Sequence, residues 1–371
     1  MALKHPNYPL GRTIILEHDS KILKASIPKL LGDSPKRKLA VWLPPQYDAA
    51  AITKTPKRFP VLYDLVGFMG SGLSHINWRG FDENIPERAA RLIHEGKMAP
   101  AIIVFPDCFT ALGGNQYINS SAIGNYADYI TQELIPFIDQ SFRTKASRDH
   151  RGCFGKSSGG YGAVIHGMKY AKYWGAIASH SGDAYFDFVY MNDWPRTLTE
   201  LMKHRANPRV SGIISVKREE KNADKGIDDG RVKNFLNTVW KKEKLSDAEG
   251  HALMMMAMSA SYDPDPKAPL GFRLPFNLET GELIDVRWKN WLKHDPIHLV
   301  EKYQTNLKSL NAIYIDCGWR DQYSIHYGAR ILSKRLVAAG IKHRYEEFDD
   351  THSSVDYRME VSLPFLLKAL G

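Results

Sequence analysis

Apolar runs and helically spaced apolar positions alternate along most of the chain. "KLAVWLPPQYD" reads as a strand stopped by Pro44 and Pro45, because proline removes the donor a ladder needs. Upstream, "RTIILEHDSKILKASIP" alternates enough to predict a strand pair, and "DAAAITKTPKRF" predicts a loop. Val61 to Leu65 predict a buried strand ending in glycines, and "AARLIHEGKM" predicts a helix. "PAIIVFPD" is continuously apolar, the pattern of a strand buried on both faces of a parallel sheet. "YADYITQELIPFIDQSF" has helical spacing, with a kink expected at Pro136.

The same rhythm continues through "HRGCFGKSSGG" (strand, then turn), "GAVIHGMKYA" (helix) and "WGAIASHSG" (strand). It returns later in "NAIYIDCG" (strand), "SIHYGARILSKRLVAAG" (helix closed by Gly340), "KHRYEEF" (strand) and "VDYRMEVSLPFLLKAL" (terminal helix). Strands alternating with helices of this length predict an α/β fold, a mostly parallel central sheet flanked by helices. Between Phe186 and Asp295 the alternation lapses into polar loops, a Met254–Met258 run and "DPDPKAP". The expectation is one domain spanning 1–371, with a largely helical cap inserted at 186–295.

Composition narrows the class. Hydrophobic residues make up 43% and charged residues 25% of the 371, an ordinary globular balance. No apolar run approaches the roughly 20 residues of a membrane span. "MALKHPNYPLGRT" lacks the apolar core of a secretory leader, so a cytoplasmic address is the default, although a removed leader would leave the same sequence. Cys108, Cys153 and Cys317 are odd in number and lack CxxC spacing, which predicts buried, reduced thiols. The net charge of +9 is spread among interleaved acids, as in "VKREEKNADK", and reads as solvated surface rather than a nucleic-acid face.

The chemistry concentrates in "GCFGKSSGGYGA". G-x-S-x-G at a strand-to-helix turn places a serine in a strained conformation, with its hydroxyl projecting above the sheet. The positions two before and two after that serine are too crowded for a Cβ. Counted from Ser157 they are Gly155 and Gly159; counted from Ser158 they are Lys156 and Gly160. Lysine does not suit the crowded position, so Ser157 is the nucleophile and Ser158 offers its backbone N–H to an oxyanion. A phosphate loop is the competing use of "GKS", but the Walker pattern needs glycine where His150 stands.

A serine hydroxyl needs a base, and the base an orienting acid, in the chain order Ser, acid, His. The turn after "NAIYIDCG" offers Asp316 and Asp321. Asp316 lies within the strand end and Asp321 in the loop beyond Gly318, so Asp321 is preferred. His352, in "DDTHSSVDY", follows the last strand and is the candidate base, whereas His166 and His326 lie in predicted helices. The turn after the third strand supplies Phe68 as the second oxyanion N–H. Trp194, Trp288 and Trp291, with the methionine run, could wall an aromatic or acyl pocket or form the insertion's own core.

These residues together resemble the esterase D-like (putative esterase) branch of the α/β-hydrolases. That group includes S-formylglutathione hydrolase, feruloyl and enterochelin esterases and mycolyltransferases. The matching pieces are "VWLPPQYD", "PVLYDLVGF", "FGKSSGGYGA", "IDCGWRDQY" and "THSS", across roughly 38–185 and 296–371. The resemblance carries the nucleophile onto Ser157, the acid onto Asp321, the base onto His352 and the oxyanion donor onto Phe68. Val66 stands where many relatives have histidine, and Ser158 where methionine is frequent. The implied activity is carboxylic-ester hydrolysis of a small-molecule substrate, with no cofactor and no metal. Acyl transfer by the same triad, a peptidase activity and a non-catalytic binding role are the alternatives. Oligomeric state is open, a homodimer being one option.

Overall fold

A computed structural model describes residues 6–49, 56–205 and 224–371. Among these, eight strands form one sheet: β1 (Arg12–Asp19), β2 (Lys36–Leu43), β3 (Val61–Leu65), β4 (Ile102–Phe105), β5 (Arg151–Lys156), β6 (Ala176–His180), β7 (Ala312–Gly318) and β8 (Arg344–Phe348). Their order is β1-β2-β4-β3-β5-β6-β7-β8. β2 runs antiparallel to β1 and β4, and every pairing from β4 to β8 is parallel.

Strand alternation feeds two cores. Val61, Tyr63 and Leu65 of β3 join one face, and Leu62 joins the other. In β7, Ile313, Ile315 and Cys317 take the first face, and Ala312 and Tyr314 the second. The second face is covered by two helices, one at Ile85–His94 and a terminal one at Met359–Leu370. The first helix starts on a capping box of Asn84 and Glu87. Helix packing on both faces explains why these strands are continuously apolar. The three cysteines are buried and free.

Three local expectations change. After β1 the chain forms helix α1 (Lys21–Ser26), not a second strand. Ser20 is its N-cap, its Oγ accepting from Leu23 N at 2.9 Å, a stop to the β pattern that alternation alone conceals. A short helix, Gln46–Ala49, takes up Asp48 and Ala49 from the expected loop, and 50–55 of that stretch lie outside the described residues. Around Pro136 the helical path stays continuous: a wide π turn over Tyr129–Leu134 runs directly into Ile135–Ser141, and the widened turn accommodates a residue with no N–H to donate.

The segment 186–295 is helix-rich, with α2 (Trp194–Met202), α3 (Arg231–Val239), α4 (Asp247–Tyr262) and α5 (Asp285–Leu292). Its two ends meet: Asp295 accepts from the backbone N–H groups of Tyr185 (3.1 Å) and Phe186 (2.7 Å). Trp194 and Trp288 both pack against Trp291 within it, Trp194 edge-on with centroids 6.0 Å apart and Trp288 tilted at 5.4 Å.

Candidate active site

β5 ends at Lys156, and a helix over Ser158–Lys169 begins two residues later, with Ser157 at the turn between them. Ser157 has φ 56° and ψ −124°, a conformation costly for any residue with a Cβ. The surroundings hold it there: Ser157 N donates to His180 O (2.9 Å), and Tyr161 N to Ser157 O (2.9 Å). A Cβ on Gly155 would lie 2.2 Å from Leu65 O, and one on Gly159 1.6 Å from the same oxygen. Both glycines are therefore needed to let the elbow touch β3.

His352 follows β8 and lies over the same cavity as Ser157. Its Nδ1 is 2.7 Å from Asp321 Oδ2, and both residues are buried. Asp321 Oδ1 accepts from Tyr323 N (2.9 Å), and His352 N donates to Gln322 Oε1 (2.9 Å), which joins the two loops. The Tyr323 ring packs edge-on against His352 at 4.9 Å. With Nδ1 engaged by the carboxylate, Nε2 is the nitrogen left for other chemistry.

Asp316 sits elsewhere in the network. It pairs with His180 (2.7 Å), accepts from Tyr314 OH (2.9 Å) and Arg358 Nε (2.9 Å), and is wholly buried below the cavity floor. A third buried pair, His75 Nδ1 with Asp64 Oδ2, is 2.5 Å long. His166 is also packed, between Tyr117 O (2.9 Å) and Trp174 Nε1 (3.1 Å), and burial pushes its pKa down to about 4. His326 is buried beside Tyr327, its ring centroid 4.2 Å away.

The cavity measures about 970 Å³ and is lined by Ser157, Ser158, Phe68 and His352. Phe68 is locked from behind, its carbonyl accepting from Gly114 N at 2.7 Å, where a Cβ would approach that oxygen to 2.3 Å. Tyr117 OH donates to Val66 O (2.6 Å) and fixes the same turn. One wall is cationic at Arg79 and Lys156, the latter with its pKa lowered by burial, and is balanced by Asp356 and Asp82. The 186–295 segment also lines the cavity, through Val189, Tyr190, His251 and Met254. The three tryptophans are not among the lining residues; they fill that segment's interior, as do Met255, Met256 and Met258.

Sequence reasoning missed Asp183, a buried carboxyl lining the cavity. Burial pushes its pKa up to about 6, against hydrogen bonding by Tyr190 and the nearby His352. An acid in "SHSGDAYF" carries no motif that would have marked it.

The strand order, the parallel pairings and the strained serine turn define an α/β-hydrolase fold. The family described as "Putative esterase" matches residues 34–362, and the chain belongs to it. Two Mycobacterium tuberculosis proteins, Esterase Rv1288 and Esterase MT1326, are each 36% identical over 150 residues, 39% of this chain and 28% of theirs. The match thus spans little more than a quarter of each relative. A ferulic acid esterase structure superposes with a TM-score of 0.57 at 18% identity, covering 96% of this chain and 98% of that one. An S-formylglutathione hydrolase from Agrobacterium tumefaciens gives 0.54 at 16% identity, with both chains fully covered. At such identity the two superpositions speak to the fold. No helix among the described residues is long and apolar enough to cross a membrane.

Proposed function

We propose that the protein is a serine carboxylic-ester hydrolase working through a Ser157–His352–Asp321 triad and an acyl-enzyme. The observation that carries this is the strained Ser157 turn opening onto the cavity that also holds His352, whose other ring nitrogen is held by Asp321. Ser157 Oγ attacks the ester carbonyl while His352 Nε2 takes its proton. Asp321 keeps the imidazole in the productive tautomer and stabilises the imidazolium. The backbone N–H groups of Phe68 and Ser158 receive the oxyanion, each worth about 3–4 kcal/mol in related chemistry. His352 then protonates the leaving alcohol, and water releases the acid by the reverse sequence.

In this reading the 186–295 segment is a cap, and its role is to shape part of the cavity that Phe68 also lines. The names of relatives in the same family support an ester as substrate. Ser157→Ala should abolish both p-nitrophenyl ester hydrolysis and labelling by a fluorophosphonate. Wild-type turnover by that variant would overturn the assignment.

A further inference from the structure

Five buried side chains close a ring behind Ser158. Gln116 Nε2 donates to Ser158 Oγ (2.7 Å), and the Ser158 hydroxyl lies near enough to the Asp183 carboxyl to favour its ionised form. Asp183 Oδ2 meets the Tyr190 hydroxyl at 2.8 Å, and the Tyr190 and Tyr262 oxygens are 3.2 Å apart. Tyr262 OH closes the ring by donating to Gln116 Oε1 at 3.0 Å. The five residues are between 1% and 4% exposed. Gln116 comes from the loop after β4, Ser158 from the elbow and Asp183 from the loop after β6. Tyr190 and Tyr262 belong to the inserted segment.

A proton count gives the ring a direction. Five contacts need five protons, and Gln116, Ser158, Tyr190 and Tyr262 supply one each, four in all. With Asp183 ionised, Tyr190 donates to the carboxylate and Tyr262 to Gln116, so the Tyr190–Tyr262 contact has no proton. A proton on Asp183 completes a single circuit: Asp183 to Tyr190, Tyr190 to Tyr262, Tyr262 to Gln116, Gln116 to Ser158, Ser158 back to Asp183. Such circuits polarise their members cooperatively.

We propose that Asp183 is a positioning residue for the oxyanion hole, holding Ser158 through its hydroxyl and tying that residue to the inserted segment. The proposal rests on the ester-hydrolysis reading of the same site. Besides Ser158 and Tyr190, His352 and Asp321 from the two loops beyond β7 and β8 act on Asp183, and the Asp183 charge acts in turn on Tyr262 and on Tyr161, which lies against Tyr262. Its elevated pKa, about 6, means that the completed circuit is populated in mildly acidic solution. Because the Ser158 N–H points to the oxyanion and its side chain points into the ring, losing the ring lets the donor drift. That loss is felt in the transition state more than in substrate binding.

The test compares wild type, Asp183→Ala, Asp183→Asn and Tyr190→Phe at pH 6. It reads kcat and KM for p-nitrophenyl butyrate and the rate of fluorophosphonate labelling. Asp183→Ala should lower kcat by about tenfold or more, with KM within about twofold. Asn should restore kcat to within about threefold of wild type, since its amide donates to Tyr190 and its carbonyl accepts from Ser158. Tyr190→Phe should lower kcat at unchanged KM, and with the Asn variant it decides the matter if the Ala variant does not fold. Wild-type kcat in Asp183→Ala or Tyr190→Phe would overturn the proposal. So would an Asn variant as impaired as Ala, or a loss confined to KM. A wild type that neither hydrolyses the ester nor takes the label would sink the hydrolase reading itself, and this proposal with it.

Discussion

Replacing Ser157 by glycine should make the protein more stable than replacing it by alanine, while both variants lose activity. At φ 56° and ψ −124° a Cβ is strained, at about 1–3 kcal/mol. Alanine keeps that Cβ and glycine removes it. Glycine costs about 0.5–1 kcal/mol in chain freedom, which leaves roughly 1 kcal/mol in its favour. For 371 residues the unfolding entropy is near 0.8 kcal/mol/K, so the melting shift is only about 1 °C. Urea is therefore the better assay. With m near 3 kcal/mol/M the midpoint should rise by about 0.3 M from alanine to glycine. Hydrolysis should fall by roughly 10⁶-fold in both, as expected when a nucleophile is removed. A glycine variant no more stable than the alanine variant would refute the claim that this turn stores strain for function.

Two further measurements discriminate the acids. Asp321→Asn should lower kcat by roughly 10⁴-fold with normal folding, because it favours the wrong imidazole tautomer. Asp316→Asn should leave kcat of the folded enzyme within a few fold but destabilise it by about 3 kcal/mol, since it takes the carboxylate from buried His180 while Arg358 keeps Glu346 and Tyr314; the reverse pattern would exchange their roles. Asp183 has a pKa near 6 when folded against 3.8 when free, so the folded state holds the extra proton between those values. Its contribution to stability therefore falls as pH rises from about 4 to 6, by up to about 3 kcal/mol. Asp183→Asn escapes this loss, so its stability relative to wild type should grow between pH 4 and 7 in urea titrations. A constant difference would contradict the assigned shift.

The elbow was legible in the sequence because its cause is local steric exclusion. Gly155 and Gly159 flank Ser157 within five residues, and the atom that excludes a Cβ from both is Leu65 O. Strand and helix periods were legible for the same kind of reason: apolar alternation records which faces are covered. The α1 helix escaped because a single cap, Ser20, overrides an alternating pattern over only six residues. Position in the turn favoured Asp321 over Asp316; in the structure Asp321 pairs with His352 and Asp316 with His180, contacts that the sequence does not display.

What only the tertiary structure decided involves partners far apart in the chain. The tryptophans pack on each other and on Tyr262 rather than on the cavity, a choice set by how the helices of the inserted segment meet. The ring of Gln116, Ser158, Asp183, Tyr190 and Tyr262 spans 146 residues between its farthest bonded members, and none of the five carries a motif except Ser158. By itself the sequence determined the fold class and the glycine-flanked serine turn, because those depend on short-range sterics and periodicity. How the Ser158 side chain is surrounded was decided by long-range burial, which brings lone polar residues together where no local pattern marks them.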